Sequence, residues 1–250
     1  MAAENRYYKY AYELHLHTSL GQSDVRPTPE ELVALYTRAA YTGVFVTDRL
    51  PTADASAVPA ASHKERIAAF LSGYEAVRRA AKDTGLRVFF GAEYSYFGTD
   101  FLIYGLPPDW YMVHDELLSL SPSDALQLLR SSGGAVVQAH PMRESAEIDH
   151  IRLFPNAVDG VEIHNCACPE FANQVAERYA RCYGLAGVCG SDISNVDHPT
   201  LAKFITRGPI ESERDLLSYL RCGRYRTKVI RNPYHFESDA YDYPPFLNRI

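Results

Sequence analysis

The chain has 250 residues, 46% hydrophobic and 22% charged, with a formal net charge of −6; this size and balance suit a soluble globular protein with a well-buried core. The acidic total excludes a general basic surface for long nucleic acid, which needs many Lys and Arg contacts to phosphate, but leaves room for a small anion held by one or two local cations. With no apolar run of about 18 residues and no apolar signal-peptide core near Met1, no membrane contact and a cytoplasmic location are expected, and Cys166, Cys168, Cys182, Cys189 and Cys222 are read as reduced thiols.

Tyr10 to His17 reads as a first strand. Alternate side chains of a strand share a face, so His15 and His17 would present two imidazoles together, at a separation that suits a shared divalent cation. An isolated pair of this kind also fits a merely polar strand face. Thr28-Pro29-Glu30-Glu31 has the form of a helix start, with Thr28 as cap, proline in the first turn and Glu31 three residues on. Leu32, Leu35, Tyr36 and Ala39 follow at helical spacing, Gly43 ends the unit, and Val44 to Thr47 forms a short buried strand ending at Asp48-Arg49.

Pro51 to Ser62, rich in Ala, Pro and Ser, is expected to be a mobile loop over the strand ends. A helix over 63–84, strands over 86–90 and 100–104, a helix over 117–131 with Ser121 or Ser123 near its cap, and a strand over 135–138 come next. Beyond Ala139-His140-Pro141 the pattern predicts strands at 158–163 and 185–189 flanking a helix at 170–183. A strand at 203–206, a helix at 213–222 and a strand at 225–230 precede an irregular tail from Asn232. No repeat or linker divides the chain, so one domain over 1–250 is expected, with a motif-bearing core of about 10–192. Alternating strands and helices imply a parallel sheet, and this number suits a closed or distorted barrel. The predicted strand ends carry His15 and His17, Asp48, Glu93, His140, Glu162 with His164, and Asp192. Chemistry in barrels sits at the carboxyl ends of the strands, and this recurrence of ligand-type residues points to a metal centre.

The order His15-x-His17-Thr18, Thr47-Asp48, Gly91-Ala92-Glu93, His140-Pro141 and Gly190-Ser191-Asp192 resembles the PHP superfamily of polymerase and histidinol phosphatase domains. The resemblance implies a distorted seven-stranded (β/α) TIM-like barrel, up to three metal ions and phosphoester hydrolysis. It implies that His15, His17, Glu93 and Asp192 form one metal position, and that Glu93 bridges to a second with His140. Three places depart from the family pattern: Arg49 and Ser194 stand where ligands of a third ion are usual, and Pro107 where a further histidine is common. One or two divalent ions, Mn, Zn or Fe by the mixed imidazole and carboxylate donors, are therefore expected.

Arg49 is then a candidate to replace the third ion with a fixed charge and to bind phosphate, or else a plain salt bridge to Asp48 or Asp24. Arg143 is a candidate phosphate clamp, and Asp48 is expected to orient a ligand histidine or a water. His114 and His198 are candidate compensating ligands. The expected activity is hydrolysis of a small phosphomonoester by metal-activated water. Two rivals stand beside it: a metal-dependent amidohydrolase using His164, and a barrel that binds without turnover.

Overall fold

The structure is a computed structural model that describes residues 8–21, 24–51, 62–146, 148–233 and 235. Most of the expected loop at 51–62 and of the tail after 232 lies outside the described residues. In chain order the strands and helices are β1 (Tyr10–Leu16), α1 (Pro29–Arg38), β2 (Gly43–Val46), α2 (His63–Ala80), β3 (Arg87–Tyr96) and β4 (Thr99–Tyr104). They continue with α3 (Pro108–Val113), α4 (Pro122–Ser131), β5 (Ala135–Gln138), β6 (Gly160–Asn165), α5 (Glu170–Tyr183), β7 (Ala186–Gly190), β8 (Thr200–Thr206), α6 (Glu213–Cys222) and β9 (Tyr225–Arg231).

Local chemistry sets the helix ends. Thr28 and Glu31 form a reciprocal capping box on α1, Ser62 and Glu65 another on α2, and Ser121 caps α4. Gly184 and Gly223, both left-handed, stop α5 and α6. The helix expected over 117–131 is split at Leu120, a single 3-10 turn (Asp115–Ser119) preceding α4.

The strands form one mixed sheet in the order β7-β6-β5-β4-β3-β2-β1-β8-β9. The pairs β1/β2, β2/β3, β5/β6 and β6/β7 are parallel, as expected for βα units, and the sheet curls into a nearly closed barrel. The parallel expectation fails at β8, which runs antiparallel to both β1 and β9, and at β4, which folds back on β3 through a two-residue turn, Phe97-Gly98, and pairs antiparallel with both β3 and β5. The start of β4 therefore lies beside the end of β3. Its far end meets α6, where Gly105 faces Leu217.

The lumen is filled by Leu14, Phe45, Phe89, Leu102, Val137 and Val188, with Leu216, Leu217 and Leu220 of α6 in the same cluster. These leave the opposite mouth of the barrel to polar residues. β7 and β1 share no strand ladder, and buried polar groups join that seam instead. Glu13 accepts from the backbone N–H of His15 and of Ser191, each at 2.9 Å, and from the Ser191 hydroxyl. Ser191 Oγ in turn accepts from Ala202 N of β8 at 2.9 Å, and Asp192 N donates to His15 O at 3.0 Å. Burial pushes the Glu13 carboxyl up to about 7 although these donors oppose the shift.

Candidate metal centre

His15 and His17 leave β1 on the same side, and their Nε2 atoms converge to 3.0 Å. Glu93, at the mouth end of β3, brings Oε1 to 3.4 Å from His15 Nε2 and Oε2 to 3.6 Å from His17 Nε2. Asp192, just after β7, places Oδ1 at 3.6 Å and 3.4 Å from the same two nitrogens. A second group adjoins the first through Glu93: His140 Nε2 lies 3.7 Å from Glu93 Oε1 and 3.7 Å from Asp100 Oδ2. Glu93, Asp100 and His140 are all buried.

Asp100 is the ligand-type residue that sequence reasoning missed. It opens a strand that runs backwards, so it does not stand at a carboxyl end. The visible signal was Gly98 alone between two β-prone stretches, because Phe-Gly is not among the favoured two-residue turn pairs. Pro107 begins no gap in the site, because it caps α3 beyond the far end of β4. The histidine absent at Pro107 therefore leaves nothing missing at this mouth, where Asp100 supplies a carboxylate.

Glu162 of β6 orients the cluster from behind. Its Oε1 lies 3.0 Å from His15 Nδ1, and its Oε2 accepts from His140 N at 2.9 Å and Asn165 Nδ2 at 3.0 Å. A carboxylate only accepts, so His15 carries a proton on Nδ1, and its Nε2, facing Glu93 and Asp192, is the atom that would meet a cation once the proton there is displaced. Asn165 also donates to Asp192 Oδ2 at 3.0 Å, which leaves Oδ1 facing the histidines. Irregular backbone aims these groups: the β1/β2 register shifts between Glu13 and Leu16, the β6/β7 register shifts between Glu162 and His164, and His140 and Asp192 both have positive φ, 23° and 48°.

The second register shift decides the fate of His164. Strict alternation would put it beside Glu162, but Asn165 takes the inward place and His164 is half-buried outside every candidate ligand group among the described residues, including one that joins His15 and Asp192 to His140. His114 pairs with Glu116 and stacks on Trp110, and His198 meets the carbonyl of Thr200, so neither joins the cluster. Burial pushes the thiols of Cys166 and Cys168 up to about 12, against a thiolate role.

Arg49 pairs with neither Asp48 nor Asp24. An isolated bridge extends β2 alongside Glu93, and Arg49 Nε donates to Glu93 Oε2 at 2.6 Å. Its side chain remains 38% exposed. Asp48 accepts from Thr18 N at 2.7 Å and Thr18 Oγ1 at 2.8 Å, and lies 3.9 Å from His17 Nδ1, too far to orient that ring directly. A Cβ on Gly73 of α2 would overlap Asp48 Oδ2 and Thr18 Oγ1. The bare glycine lets this pair sit against the helix, at a helix-propensity cost of about 0.5–1 kcal/mol. Arg143 follows His140 by one turn, its N–H bonded to His140 O at 2.9 Å. Arg49 and Arg143 line two clefts, one of about 520 Å³ that also includes Asp100, and one of about 230 Å³ that includes His17, Asp192 and the exposed Ser194.

These residues fit divalent cations. Donors about 2.0–2.2 Å from a tetrahedral ion lie about 3.3–3.6 Å apart; the imidazole–carboxylate spacings of 3.4, 3.6, 3.6 and 3.4 Å among His15, His17, Glu93 and Asp192 fall in that range, while the two imidazole nitrogens lie closer, at 3.0 Å. Glu93 Oε1 and His140 Nε2 are buried without any hydrogen-bond partner, an arrangement that costs energy unless a cation meets them. Protons take that role in the metal-free protein. Burial opposes charge on His15, yet Asp192 and Glu162 hold its pKa well above the usual value, whereas burial and the neighbouring His15 keep His17 neutral, near 4.

Gly190 is the tightest packing constraint on the cluster, since a Cβ there would overlap His15 Cβ and Glu162 Oε1. Gly190→Ala is expected to cost about 1–3 kcal/mol through overpacking and to lower metal content. Chemical denaturation and elemental analysis of the variant check both, and wild-type values in each would refute the constraint.

No protein-family model and no curated protein matches this chain. Solved structures do share its fold. One is a two-domain protein from Bacteroides vulgatus containing a predicted PHP-like metal-dependent phosphoesterase, at 15% identity and TM-score 0.63, over 89% of this chain and 65% of the other. This chain thus spans just under two thirds of that protein. PsfC from Pseudomonas syringae aligns at 14% identity and TM-score 0.58, over 88% and 91% of the two chains. A candidate metal-dependent phosphoesterase from Bifidobacterium adolescentis aligns at 15% identity and TM-score 0.50, over 84% and 95%. The chain has the barrel fold of PHP-like proteins.

Proposed function

We propose that this PHP-like chain is a metal-dependent hydrolase whose substrate is a small phosphomonoester. The observation that carries the reading is one buried carboxylate, Glu93, shared between two donor groups while paired with Arg49 at the rim of a cleft. His15, His17, Glu93 and Asp192 would hold one divalent ion, and Glu93, Asp100 and His140 a second. Such ions, when bound, polarise a phosphoryl oxygen and bring the pKa of a water toward neutrality.

The remaining roles belong to the protein's own groups. Arg49 is held charged by Glu93, with Asp100 and Asp192 adding to the effect, against the opposing pull of burial. Its Nε–H is committed to Glu93, which leaves the terminal guanidinium N–H groups for phosphate oxygens. Arg143 lines the same cleft as a second cation for the anion. Glu162 and Asn165 hold His15 and Asp192 in register, and Asp48 locks Thr18 directly after His17. The outward turn of His164 removes a ligand that the amidohydrolase rival uses.

Elemental analysis of the purified protein, followed by Mn-supplemented assays on a panel of phosphomonoesters, tests this reading. Hydrolysis that disappears with a chelator and in His17→Ala is the expected result. Bound metal without hydrolysis of any ester would remove the phosphoester claim while leaving the metal centre standing.

A further inference from the structure

The hairpin joining Glu93 to Asp100 carries an unexplained expense. Tyr96 and Thr99 form its last pair, so the turn is Phe97-Gly98, and both residues have positive φ, 46° and 78°. Two-residue turns of this form favour Asn-Gly or Asp-Gly, because a bulky side chain at positive φ is strained. Phe97 takes the first position, and packing does not compensate, for the residue is 72% exposed. Among the described residues its aromatic neighbour is Tyr96, edge-on with ring centroids 4.9 Å apart.

The turn is nevertheless fixed in place. Arg152 Nη1 donates to Phe97 O at 2.9 Å, and Gly98 is so close to Ile148 that a Cβ would come within 2.7 Å of it. Phe97 also lines the cleft of about 520 Å³ together with Arg49, Asp100, Arg143, Leu50 and Ile148. Two guanidinium groups and a braced, exposed ring thus share one cavity beside the candidate metal centre. Strained residues that persist without packing gain are a mark of ligand contact.

We infer that Phe97 is a substrate-recognition residue that stacks against a flat aromatic or heteroaromatic ring in the alcohol part of the phosphomonoester. This inference rests on the phosphoester reading above, which supplies the anion held at Arg49 and Arg143. It adds the class of leaving group that the cleft selects.

Titration calorimetry of the full chain loaded with Mn, using phenylphosphonate and methylphosphonate, tests it without requiring turnover. Aromatic stacking predicts that the phenyl compound binds wild type roughly tenfold more tightly. Phe97→Asn, which suits the positive φ and so keeps the turn, is expected to bring that ratio close to one and to raise the melting temperature; Phe97→Tyr is expected to keep the preference. Equal affinities in wild type, with methylphosphonate clearly bound, would overturn the stacking role alone. A ratio unchanged in Phe97→Asn would overturn it as well, and failure of both phosphonates to bind Mn-loaded protein would overturn it together with the phosphoester reading.

Discussion

Saturating the metal-free protein with Mn is expected to raise its melting temperature by roughly 8–16 °C, the shift for free metal near 1,000 times Kd in a chain of this size. The argument is one of unmet charge. The mouth of the barrel holds Glu93, Asp192 and Asp100 against the three imidazoles of His15, His17 and His140, and Glu93 Oε1 and His140 Nε2 have no hydrogen-bond partner. An ion that binds only the folded arrangement stabilises it by mass action. Glu93→Gln removes the carboxylate shared by both groups, and the rise should vanish in that variant. It should also shrink as pH falls, because carboxylates raise the His15 pKa against the effect of burial and the ion must displace that proton. Scanning calorimetry with and without Mn decides the matter, and a wild-type shift below about 2 °C at saturating metal, under the smallest change expected for 1 kcal/mol, would refute the centre.

Arg49→Ala is expected to lower kcat/KM by about 10²–10³-fold, the usual cost of removing one preorganised group that stabilises developing charge, while leaving bound metal in place. Glu93 keeps its unpartnered Oε1 in that variant, so the donor groups stay complete. Arg49→Lys should recover only part of the loss, since an ammonium cannot keep the Nε contact with Glu93 and present a planar fork to phosphate at once. Steady-state kinetics beside elemental analysis separates the possibilities. Unchanged kcat/KM in Arg49→Ala would show that the 2.6 Å ion pair is structural only.

The parallel part of the barrel was readable because each βα unit advertises itself: an apolar run, a polar residue at its carboxyl end, then a capped helix. The expected strand ends offered His15, His17, Asp48, Glu93, His140, Glu162, His164 and Asp192, the family resemblance narrowed these to His15, His17, Glu93, His140 and Asp192, and the fold brings those five to one mouth although no helix follows β3, β5 or β7. What escaped depends on reversal or irregularity. Asp100 sits at the mouth only because β4 runs against its neighbours, and His164 leaves it only because β6 and β7 slip in register. The partner of Arg49 lies 44 residues away and is set by a single bridge beyond the end of β2, which no local pattern encodes. Phe97 was hidden for a different reason: exposure and φ are properties of the fold, not of the letter.

The seam between β7 and β1 also orders the making of the site. Glu13 and Ser191, which bind across it, are 178 residues apart in the chain. Asp192 can reach His15 and His17 only after nearly the whole barrel has been wound. Glu93, Asp100 and His140, by contrast, come from the consecutive strands β3, β4 and β5, a meander that needs no closure. A chain still emerging from synthesis thus owns Glu93, Asp100 and His140 long before Asp192 can join His15 and His17, and the completed pair of groups is itself a record that β7 has met β1.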